Sequence, residues 1–525
     1  MELSKNLVSA GVIACAALSG MEAEAKEKKP NIVVIMGDDI GYWNLSAYNR
    51  GVMGYRTPNI DKIAKEGALF SDHYAQPSST AGRAALITGQ MPIRTGLTTV
   101  GYVGAKQGIQ FQDATLAEVL KTEGYTCGQF GKNHLGDRNE YLPTVHGFDE
   151  FFGNLYHLNT EEEPEDEDYP KDPAFKDKFG PRGVLHCWAT NKFDNTEDPR
   201  FGVVGKQRIQ DTGALTRERM KNVDDEFVGA GLDFMEKAVK EDKPFFTWIN
   251  SSRMHVFTHV PEKYQDSIKS ETSWYDMYGA GMLQHDEHVG MILDKLKELG
   301  VNDNTIIVYT TDNGPEHATY PHGGTTPFRS EKMTTWEGGV RVPMFIRWKG
   351  HIQPGTELNG IQSHEDVFTS LAAAAGADDI KERLAKGDKL GTDIVKRGYI
   401  DGVNNLDYWT GKQEESNRNC HIYYAESKLQ AIRINQWKLH FSARDGYYGT
   451  TTQFELPKIY NLRQDPFESY SEKGYMAEVF QRKTYLFNSA LTYLNEHIQS
   501  LKMYPPSQKA NTLNVTEMIQ NITSK

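Results

Sequence analysis

The chain has 525 residues, a net charge of −13, 25% charged and 11% aromatic residues, and four cysteines. That balance excludes an intrinsically disordered chain, which couples low hydrophobicity to high net charge, and a nucleic-acid binder, which needs clustered Lys and Arg against phosphates. Four cysteines are too few for a disulfide framework, and a chain this long buries a large core without one, in two or three domains at about 150 residues each.

Lys5 precedes an apolar run from Leu7 to Leu18, followed by Ala23-Glu24-Ala25 and the polar Lys26-Glu27-Lys28-Lys29. A basic start, an apolar middle and a small-x-small site form the pattern of a secretory signal over residues 1–25. The run is well short of the ~20 residues of a membrane span, and no other segment is long enough, so an exported, soluble mature protein is expected. Val12-Ile13-Ala14-Cys15 also resembles a lipoprotein cleavage box, but the apolar run before Cys15 is short, which ranks lipid anchoring second. Cleavage after Ala25 leaves three cysteines and at most one internal disulfide.

Asn31–Met36 is a nearly continuous apolar run of strand length, ended by Gly37. Continuous apolarity predicts a strand buried on both faces, as in a parallel sheet. Similar runs occur at Thr126–Phe130, Phe245–Ile249, Thr305–Thr310 and Pro343–Trp348. Helical spacing lies between them, at Ile60–Ala64 before Gly67, Leu116–Leu120 before Gly124, Gly231–Val239, and His285–Leu299 before Gly300. Alternating strands and helices predict an α/β sheet with helices on both faces. The acidic block Glu161–Asp168 reads as a solvated surface loop. After about residue 415 the texture shifts to period two, with strand candidates at Ile432–Phe441 and Ile459–Leu462, which predicts a smaller α+β unit. The expected organisation is residues 1–25 signal, 26–415 catalytic domain and 416–525 C-terminal subdomain.

Asp38 and Asp39 follow the first buried strand directly, and Asp312-Asn313-Gly314 follows another. Ligands of open α/β sheets sit at the carboxyl ends of strands. Each motif alone reads equally as a turn. Together they offer three carboxylates and an amide oxygen, a donor set for a hard cation such as Ca²⁺ or Mg²⁺ rather than zinc. Pro77-Ser78-Ser79-Thr80-Ala81-Gly82-Arg83 opens an Ala-rich helical segment. Ser there can be an ordinary cap, or it can face an anion held by free N–H groups, with Arg83 one turn on as a clamp.

Ser79-Thr80-Ala81-Gly82-Arg83 with Leu86-Ile87-Thr88-Gly89 resembles the signature of the formylglycine-dependent sulfatases of the alkaline phosphatase superfamily. Ala81 stands where Pro is usual and Ser79 where Cys is frequent. The resemblance continues through Thr57-Pro58-Asn59-Ile60-Asp61, Gly131-Lys132-Asn133-His134-Leu135-Gly136, His146-Gly147-Phe148-Asp149, the loop Lys332–Pro343 and residues 458–468. It covers roughly residues 28–470, with the motifs in the family's order. It implies an alkaline phosphatase-like fold: a large mixed, mostly parallel sheet flanked by helices, with a smaller C-terminal α+β subdomain.

It further implies hydrolysis of sulfate monoesters, arylsulfatase-like and directed at a glycan. Ser79 would become formylglycine, whose hydrated aldehyde attacks sulfur and then helps expel sulfate. Asp38, Asp39, Asp312 and Asn313 would hold Ca²⁺ as Lewis acid and template. Arg83 and Lys132 would stabilise the diol, His134 would remove the proton that starts sulfate elimination, and Lys332 would bind a sulfate oxygen. His255, after the buried strand Phe245–Ile249, would protonate the leaving oxygen, with His259 as rival; His322 could reach substrate and His364 reads as structural. A serine cannot be oxidised by the oxygen-dependent, Cys-specific maturing enzyme. An anaerobic sulfatase-maturating partner is therefore implied, and with it a bacterium living without oxygen and a periplasmic location. The rival readings are a phosphodiesterase or phosphonate hydrolase of the same superfamily and a non-catalytic glycan-binding relative.

Overall fold

The apolar run of the sequence becomes the strand Asn31–Gly37, buried along its whole length. Ile32, Val34 and Met36 face one core, shared with Leu116, Leu120 and Phe368 from the helices Leu116–Thr122 and His364–Ala375. Val33 and Ile35 face the other, shared with Ile60, Phe227 and Val289 from the helices Pro58–Lys65, Val223–Lys240 and Met277–Glu298. Two covered faces leave no polar alternate position, which is why the run is continuous. Each such side chain contributes about 1.5–3 kcal/mol when fully buried. The structure, a computed structural model, describes residues 28–272, 276–321, 324, 327–470, 479 and 481–523. The expected signal segment, Cys15 and His322 lie outside the described residues.

The strand Asn31–Gly37 is central in a ten-stranded sheet. Five adjacent strands run parallel in the order Thr305–Thr311, Asn31–Gly37, Phe245–Asn250, Thr126–Gly131 and Glu150–Gly153. Met344–Arg347 runs antiparallel to Thr305–Thr311, which makes the sheet mixed. On the other flank the long hairpin Leu185–Asp198 and Gly202–Asp211 adds two antiparallel strands. A separate four-stranded antiparallel sheet spans Cys420–Ala425, Lys428–Ile434, Trp437–Arg444 and Thr451–Asn461. The helix Tyr485–Met503 packs on it through Leu486 and Ala490. The fold is α/β with a smaller C-terminal α+β unit.

Several details differ from the sequence reading. The alternating stretch Ile432–Phe441 is two strands joined by a tight turn at Asn435 and Gln436, with Ile434 opposite Trp437; Asn435 takes the left-handed conformation the turn needs (φ 49°). The alternation ran across the turn because both strands keep the same face inward. The acidic block is not a wholly solvated loop. It begins in the short helix Leu158–Glu162, where Glu161 and Glu162 are buried. Cys127, Cys187 and Cys420 are all unpaired thiols. Among the described residues, no helix is long and apolar enough to cross a membrane.

Candidate active site

The neighbouring parallel strands Asn31–Gly37 and Thr305–Thr311 end level, with Gly37 opposite Thr311. Their next residues therefore meet. Oxygen atoms of Asp38, Asp39 and Asp312 all lie within 4.8 Å of one another, and all three residues are buried. Asp39 N–H donates to Asp312 Oδ1 (3.2 Å), and Asn313 Nδ2 donates to Asp39 Oδ1 (2.6 Å). Asp39 adopts a left-handed backbone (φ 58°), which turns two adjacent carboxylates in different directions.

Ser79 is the first residue of the helix Ser79–Thr88. Its Oγ donates within 3.2 Å to Asp38 Oδ1 and lies equally 3.2 Å from Asn313 Oδ1. Ser78 occupies the cap position, but its hydroxyl donates to the Thr98 carbonyl instead of capping. The helix start thus keeps its N–H groups for another acceptor.

Three cations balance the three carboxylates. Arg83 places Nε and Nη2 on Asp312 Oδ2 (3.1 and 2.9 Å). Lys132, just past the strand Thr126–Gly131, bonds Asp38 Oδ2 at 2.5 Å. Lys332 bonds Asp39 Oδ2 at 2.7 Å. Burial, and then the Asp38 charge, push the Asp312 carboxyl above its usual range. Burial likewise lowers the Lys132 ammonium, against the pull of Asp38. For Lys332, burial is the largest single influence and lowers the ammonium, but Asp39, Tyr447, Glu316 and Asp38 together outweigh it and hold the ammonium above its ordinary value.

Two imidazoles close the other side. His134 follows Lys132 by two residues and has a left-handed backbone (φ 60°). It is buried, and neither ring nitrogen has a hydrogen-bond partner among the described residues. Burial first, then Lys132, drop its pKa well below the usual imidazole value. His255 is held by the turn after Phe245–Asn250, where Ser251 and Ser252 bond the buried Asp224. Its Nδ1 is 2.5 Å from the Val256 carbonyl, and its Nε2 is 4.0 Å from Asp39 Oδ2. Burial, then Lys332, likewise depress its pKa. His259 is turned away and bonds Glu162 Oε2 at 2.6 Å. His364 bonds the Thr311 carbonyl and His73, both at 2.9 Å, and so supports the strand end from behind.

Whereas the rival His259 is turned away to Glu162, the ten residues given catalytic or metal roles from the sequence converge on one place. Sequence reasoning missed others there. His157 stacks on His255 (centroids 5.5 Å) and meets His134 edge-on (5.6 Å); its signal was a position just beyond the strand Glu150–Gly153, another carboxyl end. Glu316, four residues past Asp312, brings Oε2 within 3.8 Å of Lys332 Nζ. Tyr447 arrives from the C-terminal sheet, its N–H donating to Glu331 Oε1 (3.0 Å), and no local pattern announced it.

Residues 30–377 match the family model described as Sulfatase, and residues 416–525 the one described as C-terminal region of aryl-sulfatase. N-acetylgalactosamine-6-sulfatase of Homo sapiens is 30% identical over 489 residues, covering 86% of this chain and 83% of that protein. Arylsulfatase A of Homo sapiens is 29% identical over 513 residues, covering 93% and 91%. Among solved structures, the PsFucS1 sulfatase from Pseudoalteromonas sp. superposes with a TM-score of 0.75 at 26% identity, covering 92% of each chain.

Proposed function

The chain belongs to the sulfatase family and is a sulfuric ester hydrolase, and from that premise we propose that it acts on a sulfated glycan through a formylglycine formed from Ser79 beside Ca²⁺ held by Asp38, Asp39, Asp312 and Asn313. One observation carries the reading: Ser79 Oγ lies 3.2 Å from a candidate ligand oxygen on each of two strand ends. The donor set is all oxygen, as Ca²⁺ prefers. Crowded, buried carboxylates, with Asp312 pushed toward its neutral form, are the environment a shared divalent cation relieves. When bound, the metal supplies Lewis-acid polarisation of a sulfate oxygen and the hydrated aldehyde supplies the nucleophile.

The chain's own groups do the rest. Arg83 and Lys132 carry positive charge against the oxygens at position 79, and Lys332 presents an ammonium to the sulfate. Burial holds the pKa of His134 well below its usual value, and neither ring nitrogen has a hydrogen-bond partner among the described residues, so the nitrogen without a hydrogen is open to accept the proton from position 79. With its Nδ1 hydrogen held by the Val256 carbonyl, His255 turns Nε2 toward the site, where it passes a proton to the leaving oxygen only as the imidazolium, a form that burial disfavours and a bound anionic sulfate would restore. His259 is engaged by Glu162, which favours His255 for that role. A relative named for an amino-sugar sulfate, at 30% identity, supports a sugar as the leaving group. Export through residues 1–25 to the periplasm, and maturation by an anaerobic sulfatase-maturating enzyme, complete the reading.

The test is production with an anaerobic maturase, then mass spectrometry of the tryptic peptide Glu66–Arg83. Formylglycine makes that peptide lighter by two hydrogens. The matured enzyme should turn over sulfated mono- or disaccharides and aryl sulfates. Preference for aryl phosphate diesters by orders of magnitude would replace this reading with the phosphodiesterase one. An unmodified Ser79 with saccharide binding but no turnover would replace it with a binding protein.

A further inference from the structure

Lys332 sits on a loop whose far side is held by the C-terminal sheet. Toward the strand ends, Lys332 N–H donates to the Pro315 carbonyl (2.9 Å) and Met333 N–H to the Pro77 carbonyl (2.7 Å). Met333 is in the left-handed region (φ 67°), a conformation that persists only where the surroundings enforce it. Beyond Met333, the loop is held by two residues of the other unit. Lys438 Nζ donates to the Thr335 carbonyl (2.7 Å) and to Glu337 Oε1 (2.9 Å), and lies 3.1 Å from Glu468 Oε1. Glu468 Oε2 accepts the Glu337 N–H (2.7 Å), while its Oε1 accepts from His440 Nε2 (2.7 Å). Lys438, Glu337, Glu468 and His440 are all fully buried.

Burying such a group of charges is a poor way to gain stability. Desolvation offsets most of the attraction, and well-packed apolar residues of similar volume often do as well or better. What the group does supply is direction. It fixes the backbone of residues 335–337, three residues beyond the ammonium that meets Asp39 Oδ2 at 2.7 Å. We propose that Glu468 and Lys438 are positioning residues for Lys332: through the backbone of residues 335–337 they hold its ammonium where it meets the sulfate group. The proposal rests on the reading of Lys332 as a sulfate-binding residue. It also gives the C-terminal unit a part in the chemistry rather than in folding alone.

A double-mutant cycle on the matured enzyme tests it, with Lys332→Ala, Glu468→Gln and the two combined, scored by kcat/KM and by competitive inhibition with inorganic sulfate. Thermal melting and the formylglycine content of each variant are measured alongside. Misplacing a binding group by about 1 Å can cost up to about 100-fold, so Glu468→Gln should lower kcat/KM by about 10- to 100-fold and weaken sulfate inhibition in the same proportion. In the Lys332→Ala background it should add little, because residues acting through one group are non-additive. Lys438→Met, which keeps the volume without the charge, repeats the cycle if Glu468→Gln does not fold. Fully additive losses, or a Glu468→Gln enzyme with unchanged sulfate inhibition, would overturn the positioning role while leaving the Lys332 reading intact. Unchanged sulfate inhibition in Lys332→Ala would overturn that reading and the proposal with it.

Discussion

A β-carbon on Gly82 would lie 1.9 Å from the carbonyl oxygen of Asp312, so the helix that begins at Ser79 rests its bare backbone against the strand end. Gly82 is needed there for space, and any side chain must push the helix off. Overpacking costs about 1–3 kcal/mol even where side chains can adjust, and here the obstacle is backbone. Gly82→Ala should therefore lower the melting temperature and, by moving position 79 away from Asp38 Oδ1 and Asn313 Oδ1, cut kcat about 100-fold or more. Kinetics normalised to formylglycine content check this, and a Gly82→Ala enzyme of normal kcat would mean the close approach is unimportant.

Ca²⁺ should stabilise the folded chain. Three buried carboxylates share one locus, and binding to the native state alone adds about 2.7 kcal/mol at a concentration 100 times the dissociation constant. Chelation should lower the melting temperature and abolish turnover together, with both restored by added Ca²⁺. Asp39→Asn should shrink the Ca²⁺-dependent shift, because it removes one ligand charge while keeping a similar shape. A melting temperature indifferent to Ca²⁺ in the wild-type protein would rule out the cation site.

Much of this site was legible because its parts sit at strand ends, where a buried apolar run stops at a polar pair. Asp38–Asp39 and Asp312–Asn313 follow such runs directly, and the level ends of the two strands bring them together. Ser79 and Lys132 were read from local motifs. Tyr447 was not, because it reaches the site from a segment whose local pattern carries no chemistry, and His157 was passed over although it lies just beyond a strand's carboxyl end, because no motif surrounds it. The hairpin Leu185–Asp198 with Gly202–Asp211 escaped notice for a related reason: its outer half is exposed, so no apolar alternation marks it. The acidic block misled because charge runs are usually solvated, whereas Glu162 is buried, bonds the half-buried His259 and lies 3.3 Å from Arg217.

Exchange of the two candidate acids separates their roles. His255→Ala should slow sugar sulfates, whose leaving oxygen needs a proton, by about 10²–10⁴-fold, and slow 4-nitrophenyl sulfate, a good leaving group, far less. His259→Ala should change the two substrates by similar, smaller factors, since it loosens the contact with Glu162. The ratio of the two kcat/KM values is the measurement. A leaving-group-dependent loss in His259→Ala and not in His255→Ala would reverse the assignment.

Asp113 should make stability fall as pH rises from about 4 toward 7. It is buried, and its Oδ2 accepts from Ser507 Oγ (2.9 Å) and Gln110 N (3.2 Å). Among the described residues no cation lies within ion-pair distance, and burial raises its pKa from 3.8 to about 7. Between those two values the folded chain holds a proton that the unfolded chain has released. Raising the pH therefore favours unfolding, by up to about 1.4 kcal/mol per unit from this group, with no slope below about 4 or above about 7. Asp113→Asn keeps the shape and a neutral polar group, so it should flatten that part of the curve. At pH 8 the variant should melt no lower than wild type, and the advantage should vanish near pH 4. Ser507 follows the helix Tyr485–Met503, on the segment that returns to the large unit and donates its N–H to the Arg94 carbonyl (2.8 Å). Hydrogen exchange around Ser507 should accordingly quicken between pH 4 and 7 in the wild type, beyond the intrinsic base-catalysed rise, level off to that rise above about 7, and show no such excess in Asp113→Asn. Parallel melting curves for the two proteins would show that Asp113 is already ionised in the native state.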